Sequence, residues 1–164
     1  MAEELTEVGR RMSRKHCRRK HYPLVNPVDC AIAGAAITDT ARLDKLRMLE
    51  LSALEAFRTG RATPDDWRAL ADCVNVAETM ALEGIGPEVI EPCRQASEAL
   101  GIAHLRYKQR GKLGLSGIEL QALRELHEFH DLQRTSISRS EYERAIKKTG
   151  DRIRSAHPSV KVYC

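Results

Sequence analysis

The chain has 164 residues, of which 42% are hydrophobic and only 4% aromatic, and its formal net charge is +4. This length fits one domain of ordinary size, large enough to build a hydrophobic core without metals or disulfides. A core poor in aromatic side chains suits helix-on-helix packing better than a sheet. No apolar run approaches the roughly 18 to 20 residues that span a bilayer, and no apolar segment follows the charged N-terminus. We therefore expect neither a membrane span nor a secretory signal.

The cysteines are odd in number and widely spaced along the chain, and two of them lie on the apolar side of predicted helices. This usage is typical of free thiols in a reducing compartment, so the cytoplasm is the expected location. The five residues are Cys17, Cys30, Cys73, Cys93 and Cys164.

Charge is distributed unevenly, with +4 over residues 1–21, −4 over 22–138 and +4 over 139–164. We divide the chain into a basic arm (1–21), a helical domain (22–155) and a C-terminal tail (156–164). The arm is either a solvated tail or a segment that contacts phosphates or an acidic protein face, and the sequence favours neither. Its candidate binding residues are Arg10, Arg11, Arg14, Lys15, Arg18, Arg19 and Lys20.

Helix signals begin directly after the arm. Asn26 before Pro27 is a typical helix start, and the small side chains of 30–37 predict a short helix packed tightly against its neighbours. A second helix is predicted over 40–59, with Gly60 as its stop. Because its apolar residues fall on several faces, we expect this helix to be buried on more than one side.

The next helix begins at Thr63, Pro64 and Asp66, which supply a cap hydroxyl, a proline at the first helical position and an acid in the first turn. It is predicted to continue to Gly84. Its Trp67 is the only tryptophan. We interpret this side chain as a core anchor, with an interface hot spot as the minor alternative.

A long helix is predicted from Pro87 to about Arg110, with acidic residues in its first turn and basic residues in its last, as the helix dipole favours. The glycine-rich residues 111–117 then form an interhelical loop. A phosphate-binding loop is not expected there, because no strand precedes it and no Lys-Ser/Thr pair opens the next helix.

The best-specified element runs from Ser116 to about Ile153, where apolar residues recur at helical spacing. Ser116 and Glu119 have the spacing of a capping box. A second such pair, Ser138 with Glu141, argues for a break near 135–138, although a single bent helix remains the alternative. Together these elements predict an all-α, single-domain bundle of five to six helices, mostly antiparallel, with a basic N-terminal arm.

The sequence contains no metal or catalytic signature. His127 and His130 are three residues apart, whereas zinc-protease helices space their histidines by four, and the helical di-iron pattern needs Glu-x-x-His on two helices. We expect these histidines at the edge of the core, hydrogen-bonded to neighbours. No zinc-finger spacing is formed by His16, Cys17, His21 and Cys30. We therefore expect no metal, no cofactor and no enzymatic activity.

Two surfaces are candidates for a binding partner. The last predicted helix carries a basic stripe that can bind phosphates but cannot read bases, with solvated surface as an equal alternative. Its residues are Arg144, Lys147, Lys148 and Arg152. A protein partner would instead use exposed acidic positions and apolar surface, for which the candidates are Glu83, Glu88, Glu91 and Trp67.

Several segments after residue 22 resemble small proteins of unassigned function encoded in prophages of proteobacteria. The segments are Val25-Asn-Pro-Val28, Ile32-Ala-Gly-Ala-Ala-Ile-Thr38, Ala56-Phe-Arg-Thr-Gly-Arg61, Asn75-Val-Ala-Glu-Thr79 and Arg139-Ser-Glu-Tyr-Glu-Arg144. The resemblance implies a context, the cytoplasm of a bacterial host, and transfers no residue role. Phage proteins of this size are commonly regulators, nucleic-acid binders or inhibitors of host machinery.

The expected function is therefore a non-enzymatic interaction protein of phage type that modulates or inhibits a host protein or nucleoprotein complex. An acidic middle can imitate the charge of a nucleic acid, which makes an inhibitor of a CRISPR effector a concrete version. The alternative is a nucleic-acid-binding regulator that uses the basic arm and the basic stripe.

Overall fold

The computed structural model describes residues 40–156; the basic arm, the helix predicted at 27–37 and residues 157–164 lie outside the described residues. Within this range the chain forms five α-helices, one turn of 3-10 helix and no strand. The predicted all-α fold is thereby confirmed. The elements are α1 (Thr40–Arg58), α2 (Pro64–Leu82), the 3-10 helix (Pro87–Val89), α3 (Ile90–Arg110), α4 (Gly117–Thr135) and α5 (Arg139–Ser155).

Helix ends follow the local signals in the sequence. Three helices begin with a reciprocal capping box, in which the cap hydroxyl accepts a bond from the N3 amide and the N3 carboxylate accepts one from the cap amide. The pairs are Thr63 with Asp66, Ser116 with Glu119, and Ser138 with Glu141. The third box decides the question that the sequence left open, because α4 ends at Thr135 and a new helix begins at Arg139.

Glycines in the left-handed region end two helices, with φ +70° at Gly60 after α1 and +67° at Gly111 after α3. The start of α3 differs from the prediction. Pro87 begins a 3-10 turn, and the α-helix starts only at Ile90. No side chain caps this start, and Gly86 precedes it at φ +64°. The chain therefore forms one turn of the narrower 3-10 helix before it adopts α-helical geometry.

The central helix is α2, which contacts each of the other four. Helices α1 to α4 form a four-helix bundle in which α4 also packs against α1 and α3, whereas α5 packs mainly against α2. On α2, Trp67 Nε1 donates to the Leu100 carbonyl at 3.1 Å and Val74 lies opposite Cys93, so α2 and α3 are antiparallel. None of the described helices combines the length and the apolar character that crossing a bilayer requires.

The main core lies between α1, α2, α3 and α4 and is filled by alanine and leucine side chains, as the low aromatic content predicts. Trp67 is 5% exposed within it, so the core-anchor interpretation is confirmed. A second, smaller cluster lies under α5, where Ile137, Tyr142 and Ala145 pack against Met80. Helix α5 is therefore attached to the bundle through a separate and smaller apolar contact.

The expectation that α1 is buried on more than one side is wrong. Helix α1 is buried along one side only, because Met48 is 66% and Leu51 46% exposed. On α4, Ile118 is 86% and Leu132 67% exposed, although both fit the apolar repeat. The buried side of α4 includes polar side chains instead, among them Arg134.

The break between α4 and α5 depends on the Ser138 cap. We expect Ser138→Ala to lower the free energy of unfolding by about 1 kcal/mol, since an amide of the first turn loses its acceptor. Urea denaturation followed by circular dichroism measures the change. The control is Ser97→Ala, a serine inside α3, where alanine should stabilise slightly because of its higher helix propensity. Equal effects of the two substitutions would contradict the capping role.

Candidate functional site

The bundle encloses a group of polar side chains where α1, α2 and α4 meet, which we call the buried polar cluster. Its members are Glu50 from α1, Cys73 from α2, and His127, His130, Gln133 and Arg134 from α4. All six are buried, and Arg134 has no exposed surface at all, at 0%. Such groups are tolerated inside a protein only when they are paired with one another.

An ion pair between Glu50 and Arg134 forms the centre of the cluster. Arg134 Nη1 donates to Glu50 Oε1 at 3.0 Å and Nη2 donates to Oε2 at 2.7 Å, so the pairing is bidentate. Burial favours the neutral carboxyl, but the contacts with His127 and Arg134 outweigh it and hold the pKa of Glu50 below its ordinary value. The pair is therefore ionised at neutral pH.

Further charges connect this pair to the surface. Arg47 Nε donates to Asp131 Oδ1 at 2.6 Å, and Asp131 lies 3.7 Å from Arg134 Nη2. His127 Nε2 lies 3.2 Å from Glu50 Oε2. Positive and negative groups thus alternate from Arg47 inward across the α1–α4 contact, which fixes the register of these two helices.

The histidine at the inner side of the cluster is held by Gln133. Gln133 Nε2 donates to the carbonyls of Ile85 at 2.7 Å and Ala77 at 3.4 Å, which leaves its Oε1 as an acceptor. His130 Nδ1 lies 3.1 Å from this oxygen and therefore donates to it. Burial, together with the nearby charge of Arg134, lowers the pKa of His130 to about 4. The ring is neutral at pH 7, with its proton on Nδ1.

Cys73 and Cys93 are free and buried. Burial, and next the negative charge of Glu50, raise the pKa of the Cys73 thiol well above its ordinary value. Burial raises the pKa of Cys93 to about 12. Both are protonated thiols at neutral pH, and a thiol is a far weaker nucleophile than a thiolate.

A cleft of about 370 Å³ opens beside the cluster between α1, α2 and α5. Glu50, Cys73 and His130 line it, and α5 contributes Tyr142 and Ile146 to the lining. The rest of the lining is mostly apolar, apart from Asp72 and Thr149. Burial at the cleft raises the pKa of the Asp72 carboxyl.

The predicted basic stripe is only half available to a partner. Lys148 forms an ion pair with Glu83, and Arg152 donates to Thr79 Oγ1 at 2.7 Å and to Glu78 Oε2 at 2.8 Å. These contacts join α5 to α2. Arg144 and Lys147 are exposed and form no ion pair with another described residue. The arm residues from Arg10 to Lys20 lie outside the described residues.

The predicted acidic positions are also partly engaged. Glu83 is paired with Lys148, and Glu91 accepts two bonds from Arg94, which lower the pKa of its carboxyl. Glu88 is exposed. Trp67 donates its indole N–H to a backbone carbonyl inside the core and has little surface to offer.

Two exposed apolar side chains lie on one side of α1. Met48 and Leu51 share this side by their spacing, and they are 66% and 46% exposed. Leu51 also lines a groove of about 560 Å³ between α1 and α4, together with Arg124, Glu128 and Asp131 of α4. We call these two side chains and the groove the outer α1–α4 face.

Sequence reasoning missed Glu50, Cys73 and Arg134 as a connected group, although a signal existed for Arg134. It follows Leu123 by eleven positions and His130 by four, which places it on the buried side of α4. Glu50 and Cys73 carry no such local signal. Their proximity depends on how three helices assemble.

Comparison with known proteins finds no relative of this chain. No protein-family model, curated protein or solved structure matches the chain. Its function must therefore be argued from its own residues.

The ion pair makes a strong prediction about stability. Arg134→Met leaves Glu50 buried without its partner, and we expect a loss of about 3 to 5 kcal/mol in the free energy of unfolding. The double variant Glu50→Leu with Arg134→Met should recover most of this loss, because no uncompensated charge remains. Urea denaturation gives both values.

Arg124→Met is the matched control, since Arg124 is an exposed arginine on the same helix. We expect it to change stability by about 0.5 kcal/mol or less. If the double variant were less stable than Arg134→Met alone, unpaired charge would not be the cause of the loss.

Proposed function

We propose that this protein is a non-enzymatic binding protein that engages another protein through the outer α1–α4 face. The observation that carries the proposal is the exposure of two large apolar side chains on one side of α1, beside the groove between α1 and α4: Met48 at 66% and Leu51 at 46%. Neighbouring apolar groups of this size left in water mark interaction surfaces, and burial of each against a partner would contribute about 1 to 2 kcal/mol.

The charges around this face define the chemistry of the partner. Three acidic side chains and one basic one line the groove, a net charge of −2. Two of the acidic side chains are paired with arginines, Glu55 with Arg58 and Asp131 with Arg47. Glu128 is exposed and has no ion pair with another described residue. The four charged residues of the lining are Glu55, Arg124, Glu128 and Asp131.

A complementary partner presents apolar anchors flanked by lysine or arginine. Proteins that process nucleic acids carry such basic surfaces, and an acidic face competes for them by charge complementarity. The proposal is therefore an inhibitor or modulator of a nucleic-acid-processing host complex, of which a CRISPR effector is the concrete case. The phage context rests on the sequence resemblance alone.

The test compares capture of partners from a bacterial lysate by the wild type and by Met48→Ser with Leu51→Ser. Both side chains are exposed, so the double variant should fold normally while losing the partner. Ile118→Ser is the matched control, because Ile118 is 86% exposed and lies on the α3 side of α4, away from α1. A partner retained equally by all three proteins would refute a role for the face.

The partner's charge is tested separately. Glu128→Lys should slow association with the captured partner by about tenfold at low salt, with a smaller effect as ionic strength rises, since steering is screened. Surface plasmon resonance measures both rates. An unchanged or faster association would exclude a basic partner surface.

Nucleic-acid binding remains the second candidate, and the exposure of Arg144 and Lys147 on α5 favours it. Short single- and double-stranded oligonucleotides are titrated at low and physiological salt, with and without residues 1–21. If phosphates are the target, Arg144→Ala with Lys147→Ala should weaken binding for all sequences alike. The slope of log affinity against log salt concentration should also fall by the contribution of about two phosphate contacts. Absence of binding at both salt concentrations would exclude this candidate.

A further inference from the structure

Three metal-ligating side chains from three different helices converge in the buried polar cluster. They are Glu50 on α1, Cys73 on α2 and His130 on α4, each of them buried, and one donor atom from each lies within 4.8 Å of the others. A thiolate, an imidazole and a carboxylate are all ligands that Zn²⁺ takes in proteins. This set is therefore chemically consistent for a borderline-soft divalent cation.

The orientation of His130 supports this assignment independently. Its Nδ1–H donates to Gln133 Oε1, and Gln133 is itself fixed by two backbone carbonyls. The lone pair that remains for a ligand is on Nε2. Metal-binding histidines are usually held in this way, with the second ring nitrogen donating to an oxygen that fixes both tautomer and ring orientation.

The cleft provides space and access. Glu50, Cys73 and His130 all line it, and its rim includes exposed side chains such as Leu49 and Ile146. A cation and a water molecule could therefore reach the three donors from solvent. Asp72 lies on the same cleft as a further carboxylate.

We propose that Glu50, Cys73 and His130 form a binding site for Zn²⁺ or a chemically similar divalent transition metal, with a water molecule from the cleft in the fourth position. Donor atoms of a tetrahedral zinc site lie about 3.3 to 3.6 Å apart. The side chains must therefore move together by roughly 1 Å on binding. When the Cys73 sulfur bonds to the metal, its proton passes to solvent, so each bound metal releases one proton.

Arg134 limits the affinity without blocking the site. Its guanidinium donates to both oxygens of Glu50, and its positive charge opposes a nearby cation. Oε2 of Glu50 lies within reach of both Arg134 and His127, but Oε1 accepts from Arg134 Nη1 and keeps a second lone pair that can bind a metal. The affinity should consequently be lower than that of structural zinc sites built from cysteines and histidines alone.

The experiment titrates the full-length protein, first treated with a chelator, with Zn²⁺ and with Co²⁺. We expect one metal per chain, release of about one proton per Zn²⁺, and a thiolate-to-cobalt charge-transfer band with Co²⁺. Cys73→Ser should lose the band and the proton release. Cys93→Ser is the matched control, a second buried helical cysteine outside the cluster, and should retain both.

Thiol protection provides a measurement that needs no variant. Zn²⁺ should slow labelling of Cys73 by a thiol reagent, located by mass spectrometry, while labelling of Cys93 is unchanged. The proposal is overturned if the wild type binds no metal, if folded Cys73→Ser binds like the wild type, or if Cys17→Ser or Cys30→Ser abolishes binding and Cys73→Ser does not.

Discussion

The bidentate ion pair between Glu50 and Arg134 is the constraint on which the arrangement of the bundle depends. Removing both groups from water costs several kcal/mol for each ion, and this cost is offset only if the geometry that pairs them is maintained. Helices α1 and α4 cannot slide along each other without separating the charges. Apolar side chains would tolerate several registers here, so the pair selects one.

The same pair organises the polar groups around it. Burial, and next the negative charge of Glu50, keep Cys73 protonated, whereas burial and the positive charge of Arg134 keep His130 neutral. Each neighbour is thus held in a defined protonation state at neutral pH. A ligand site needs defined protonation states, and here they follow from burial together with the charges of the Glu50–Arg134 pair.

Much of the fold could be predicted from the sequence, because its signals are local. The three capping boxes and the glycine after α1 lie within a few residues of the helix ends they determine. Burial was harder, because the apolar repeat of α4 includes Leu132, which faces water, and omits Arg134, which is fully buried. The proximity of Glu50, Cys73 and His130 could not be predicted, since it depends on tertiary packing.

The separate attachment of α5 has a consequence for how the molecule opens. This helix packs on α2 through partly exposed ion pairs and a small apolar cluster, and its residues line part of the cleft that Glu50 also lines. If α5 lifts away, water returns to the Glu50–Arg134 pair while the four-helix core stays closed. Rehydration of the ion pair then offsets part of the free energy lost with the contacts of α5. The amide hydrogens of α5 should therefore exchange through a local opening whose free energy is well below that of global unfolding.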